Sequence, residues 1–133
     1  MRLFFRYLFP LFSLPFLDGC IRTVPTPTPG NPCQQCTVGQ VTFTPASPDR
    51  LGSIDATHTN PTIGGDGCLH MVAECIGDEG FTSFMQFNIN QGGPVENNPA
   101  KRVVEAPLDC RNGQWFYMNR QVNEVNCQEA GNG

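Results

Sequence analysis

An all-β fold, a small disulfide-rich antiparallel β-sandwich with long loops, is what this sequence predicts, on three grounds. Fourteen glycines and twelve prolines in 133 residues interrupt helices at short intervals. Ten phenylalanines favour the pleated, half-buried surface of a sheet. Where apolar residues do recur regularly, they do so with a strand-like alternation rather than a helical repeat.

The chain opens with two arginines within Met1–Arg6, an apolar run of eleven residues from Tyr7 to Leu17, and the small-residue end Asp18-Gly19-Cys20. That order is a secretory signal over residues 1–20. A membrane anchor needs about 18 or more apolar residues, and this run is shorter and holds Pro10 and Pro15. Leu17-Asp18-Gly19-Cys20 also has the form of a bacterial lipoprotein box, although an Asp beside the cysteine is atypical of one. Residues 21–32 read as a Thr/Pro-rich linker. Its alternating prolines from Pro25 to Pro29 favour extended polyproline II, and its threonines are candidate O-glycosylation sites. A six-cysteine β domain over residues 33–127 follows, then a disordered tail over 128–133.

Within that domain, Val41 and Phe43 alternate with Thr42 and Thr44, the pattern of a strand with one buried face. Residues 45–67 hold three prolines, four glycines and little periodicity, which predicts a long loop. Leu69–Ile76 reads as a strand leading into Cys75, and Gly77-Asp78-Glu79-Gly80 as a turn. Met85, Phe87 and Ile89 alternate with Gln86, Asn88 and Asn90, extending the next strand over Phe81–Asn90. Asn112-Gly113 predicts a two-residue type I′ hairpin, because both central residues need positive φ; this sets Cys110 opposite Trp115. Trp115-Phe116-Tyr117-Met118 is apolar on both faces, as a central strand is, with Gln121–Cys127 returning beside it.

Seven cysteines supply candidate staples, since a domain of this size buries only a marginal core. Removal of Cys20 with the leader leaves Cys33, Cys36, Cys68, Cys75, Cys110 and Cys127, a number that pairs completely in an oxidising compartment. Strands bearing Cys110 and Cys127 on either side of the Trp115 strand would lie about 9–10 Å apart. A bridge needs less than about 7 Å, so the two are expected to pair elsewhere.

Composition excludes some partners. The net charge is −4, and loss of Arg2, Arg6 and Asp18 with the leader makes the remainder more acidic. Lys101-Arg102 is the sole basic pair after the leader, so neither nucleic acid nor an anionic membrane is an expected partner, and the mature chain carries no membrane span. Cys33-Gln34-Gln35-Cys36 has the spacing of a redox motif or half a zinc site. It follows a proline spacer instead of opening a helix, and His58 and His70 lack ligand spacing to it, so structural disulfides are expected and no cofactor or metal. Ser47, Ser53 and Ser83 lie in no nucleophile elbow, and the acidic residues show no paired pattern. His58 falls in the loop and His70 at a strand start, positions of solvated or core-edge histidines. No catalytic residue is expected, and a core role is expected for Trp115 and Tyr117.

Cys33-x-x-Cys36 with Val41-Thr42-Phe43, then Gly67-Cys68, Cys75, Met85-x-Phe87-Asn88, Gly93-Pro94, Leu108-x-Cys110 with Asn112-Gly113-Gln114-Trp115, and Val125-x-Cys127, resembles the six-cysteine domain of nematode secreted and surface proteins. The resemblance spans residues 33–127. It implies an extracellular location and three disulfides, and no active-site residues, because that family is itself a domain of unknown function. The expected function is therefore a secreted or cell-surface interaction module for an extracellular protein or glycan, and not an enzyme. The alternative is a secreted effector such as a protease inhibitor or defence protein presenting the 45–67 loop.

Overall fold

The computed structural model describes residues 30–94 and 101–131. The predicted signal, Cys20, linker residues 21–29 and the final two residues lie outside the described residues. Eleven strands are assigned: β1 (Thr42–Phe43), β2 (Ser53–Ile54), β3 (Ala56–His58), β4 (Thr62–Ile63), β5 (Leu69–Ile76), β6 (Phe81–Phe87), β7 (Gln91–Gly92), β8 (Val103–Arg111), β9 (Gln114–Tyr117), β10 (Arg120–Gln121) and β11 (Glu124–Gly131). They form two sheets with a shared core, so the all-β class predicted from the sequence is the class observed.

The first sheet runs β1-β11-β6-β7, with β2 also against β11. The second runs β10-β9-β8-β5-β3, with β4 also against β5. Alternation along the two longest strands of the second sheet builds one wall of the core. Met71, Ala73 and Cys75 of β5, with Val104, Ala106, Leu108 and Cys110 of β8, are all buried. Val125 and Cys127 of β11, with Met85 and Phe87 of β6, form the facing wall, and Trp115 of β9 is buried in the same cluster.

Pro107 lies in the middle of β8, where a missing N–H ordinarily breaks a ladder. It faces Val72, whose own N–H and C=O are turned away to the Thr59 side chain and backbone. Pro107 thus occupies a non-hydrogen-bonded register position. On its other side, β9 pairs with β8 only at Asp109, Cys110 and Arg111, so no ladder bond is lost there either.

The Asn112-Gly113 hairpin forms with both residues at positive φ, and Cys110 faces Trp115. Other expectations are corrected. Residues 45–67 are not one loop but contain β2, β3 and β4. Each is only two or three residues long and pairs with β11 or β5, far along the chain, so no local alternation betrays it. Strand β6 stops at Phe87, because Asn88 and Ile89 take positive φ values of 51° and 73°; Ile89 is consequently exposed instead of buried. The pairing of β1 with β11 is parallel, the one exception to an otherwise antiparallel plan.

The C-terminal segment also departs from the simple meander. Only Arg120–Gln121 returns beside β9. The chain then passes through the buried Val122 into the other sheet, where β11 pairs with β6 from Val125 to Gly131. Residues 128–131 therefore belong to a sheet and not to a tail, their backbone groups being satisfied by β6. At the other end, Asn31 and Pro32 belong to the domain and not to a linker: Asn31 caps a 3₁₀ turn and the Pro32 carbonyl accepts from the Gly113 N–H.

Three disulfides join segments that the strands do not. Cys33–Cys68 and Cys36–Cys110 fasten the N-terminal arm to the second sheet, and Cys75–Cys127 joins the two sheets through the core. Cys110 and Cys127 occupy different sheets and bridge to Cys36 and Cys75, whereas the flanking-strand arrangement placed both in one sheet.

Candidate functional site

The cleft between the N-terminal arm, the β4–β5 turn and the β8–β9 hairpin brings together Asp66, His70, Asp109 and Arg111. The turn folds back on itself through the Gly64 N–H to the Cys68 carbonyl and the Gly67 N–H to the Gly64 carbonyl. Cys68 is anchored to Cys33, and the Gln34 side chain donates to the Gly67 carbonyl at 2.7 Å, which ties the arm to the turn. His70 follows as the second residue of β5, on the outward face.

Cross-strand register sets its first partner. Asp109 of β8 lies directly opposite His70, and its Oδ1 is 2.8 Å from the ring Nδ1. The turn supplies the second: both oxygens of Asp66 approach Nε2, at 2.8 and 2.9 Å. Gly64 makes room for this, since a Cβ there would stand 2.7 Å from His70 Cδ2. Arg111 extends the row, with Nη2 3.4 Å from Asp109 Oδ2 and its guanidinium over the Phe116 ring. The open cleft beside them measures about 490 Å³ and includes Pro32, Cys33 and Asn112 in its lining.

A carboxylate only accepts hydrogen bonds, so a ring held by carboxylates at both nitrogens satisfies both when it is protonated and donates from each. The hydrogen bond that His70 donates to Asp66 raises the His70 pKa, opposed in part by desolvation and reinforced by Asp109. The same bond lowers the pKa of Asp66, with help from the Cys68 N–H. His70 therefore contributes stability that is complete below the ordinary histidine pKa of about 6.5 and is lost as pH rises through its higher folded value. Asp66 contributes stability that is present above the ordinary carboxylate range and lost as pH falls through its lower folded value. The clamp is intact in the mildly acidic window between the two. We expect Asp66→Asn to move the His70 titration midpoint, followed by NMR of the ring protons, to lower pH; an unmoved midpoint would show that the contact is not formed in solution.

Sequence reading placed His70 at a strand start and saw no paired acidic residues; the structure brings the three together. Asp109 is 39 residues away and reaches His70 only through the β5–β8 register, for which no local signal exists. Asp66 is only four residues before His70, but the turn that brings it back to the ring carries no alternation or motif of its own. His58 lies elsewhere, on β3, with its ring 4.4 Å from that of Phe43. Cys33 and Cys36 are in separate bridges, so their spacing forms no dithiol. Among the described residues no three His, Cys, Asp or Glu side chains are arranged to hold a metal ion.

No family model and no solved structure matches the chain. One curated relative does: over 101 residues the chain is 35% identical to Uncharacterized protein C30G12.4 of Caenorhabditis elegans. The match covers 73% of this chain but only 38% of the nematode protein, so the chain corresponds to part of a longer relative.

Proposed function

We propose that the chain is a secreted, disulfide-stapled extracellular interaction module that acts by binding and not by catalysis. The observation that carries this reading is the set of three long-range disulfides, spanning 35, 74 and 52 residues. Such bridges persist in oxidising compartments and are rare in the cytosol. The nematode relative supports placing the domain with the six-cysteine modules of nematode secreted and surface proteins. No helix of the described residues is long and apolar enough to cross a membrane.

A binding role is supported by the commitment of His70. A general base needs one ring nitrogen facing a nucleophile, and here both face carboxylates. A second reading, a protease inhibitor, is favoured by Leu51, fully exposed on a turn that the Ser47 N–H closes onto Ser53 Oγ.

Expression of the full chain in insect cells, with mass mapping of the product, tests the main reading. The expected result is protein in the medium, an N-terminus just beyond residue 19 or 20, and the three bridges above. Retention in the cytosol with free thiols would overturn it. Inhibition of any member of a serine and cysteine protease panel, abolished by Leu51→Asp, would favour the second reading.

A further inference from the structure

We propose that two hairpin tips at one end of the sandwich, Asn88–Asn90 between β6 and β7 and Met118-Asn119 between β9 and β10, form one docking surface for an acidic, partly apolar peptide segment of a partner protein. The proposal rests on the binding-module reading and assigns that binding to a place.

Each tip displays an apolar side chain from a backbone that disfavours it. Ile89 is the centre of a tight γ-turn, closed by the Asn90 N–H to the Asn88 carbonyl at 2.9 Å, with φ at 73°. A β-branched residue is a rare occupant of positive φ, where glycine is unstrained. Met118 has φ at 53°. The two side chains are 76% and 68% exposed. Strain and solvent-facing apolar surface at the same two positions bring the fold itself no stability, and such outliers cluster at ligand contacts.

The tips are also fastened to each other. Asn88 Nδ2 donates to the Gln121 carbonyl, while its Oδ1 accepts from the Asn123 and Glu124 N–H groups. Arg120 Nη1 donates to the Gly92 carbonyl from the opposite direction. Below them the Phe87 and Tyr117 rings pack at 5.3 Å. Ile89 and Met118 therefore project from a preorganised base, which spares an incoming partner the cost of ordering two loops.

Charge selects the occupant. Residues 87–94 and 117–123 contain Arg120 and no carboxylate, and the Glu124 carboxylate beyond them accepts from the Thr44 hydroxyl at 3.5 Å, in a chain whose net charge is −4. An open cleft of about 630 Å³ next to Met118 is lined by Gly93, Tyr117, Asn119 and Arg120. A carboxylate entering it meets the guanidinium, while apolar neighbours in the same segment meet Met118 and Ile89.

The test uses the secreted, disulfide-intact chain and three sets of fluorescent 12-residue peptides, in which leucine and phenylalanine alternate with glutamate, glutamine or lysine. The glutamate set is expected to bind at least tenfold more tightly than the lysine set. Ile89→Gly should weaken that binding at least tenfold while leaving the melting temperature unchanged or higher, since glycine removes the strain along with the anchor. Arg120→Glu should invert the preference between glutamate and lysine peptides. Equal binding of the three sets, or binding indifferent to Ile89→Gly, would overturn the assignment while leaving secretion and the disulfides as they stand. Binding to phosphatidylserine vesicles, or concentration-dependent dimerisation, that Ile89→Gly abolishes would overturn it in favour of a membrane or a second copy.

Discussion

Replacing Cys75 and Cys127 together with alanine is expected to lower stability by about 4 kcal/mol, the chain-entropy value for a loop of this length. The bridge spans 52 residues, and both cysteines are completely buried. It is the covalent link between β5 and β11, hence between the sheets. A domain of this size is stable by about 5–15 kcal/mol, so the double variant gives up between about a quarter and four fifths of it. The measurement is urea denaturation followed by circular dichroism. Cys75→Ala alone should be worse, because a free buried Cys127 thiol remains to form wrong pairs. A loss under about 1 kcal/mol would mean that the two walls hold without the bridge.

Trp115→Ala carries the second large effect, about 3–5 kcal/mol for truncation of a fully buried indole. Trp115 is 1% exposed, and its Nε1 donates to the Thr37 carbonyl at 2.8 Å. It thus packs in the core and also holds the N-terminal arm beside the Cys36–Cys110 bridge, Cys110 being its cross-strand neighbour. Trp115→Phe should keep much of the packing and still lose about 1 kcal/mol with the indole hydrogen bond, the Thr37 carbonyl then keeping only the Gln40 N–H. Because the bridge and the indole secure the same arm, their removal should be non-additive in a double-mutant cycle. The wild type has a single tryptophan, so its fluorescence follows unfolding at this site alone.

What the sequence made legible was local. Strand β5 alternates over eight residues and was readable end to end, and the β8–β9 turn was readable from two residues whose φ is dictated by type. The misreadings came from long-range pairing. Ile89 continues the alternation of Met85 and Phe87 on paper, but Asn88 turns the backbone before it. Val122 is one buried residue between two short polar stretches, too little to announce a change of sheet. The His70 clamp depends on register between strands 39 residues apart, and its partners are ordinary surface aspartates until the sheet closes.

Strand β11 pairs with β1, β2 and β6, and it is synthesised after all of them. During translation, therefore, the early strands of the first sheet wait without their shared neighbour until the ribosome has added nearly the whole described chain. Cys33, Cys36, Cys68 and Cys75 leave the ribosome before Cys110 and Cys127 do. Of the three final bridges, only Cys33–Cys68 has both sulfurs available early. A bridge that Cys36 or Cys75 formed in the interval would have to be undone by thiol exchange before the final pairs could close.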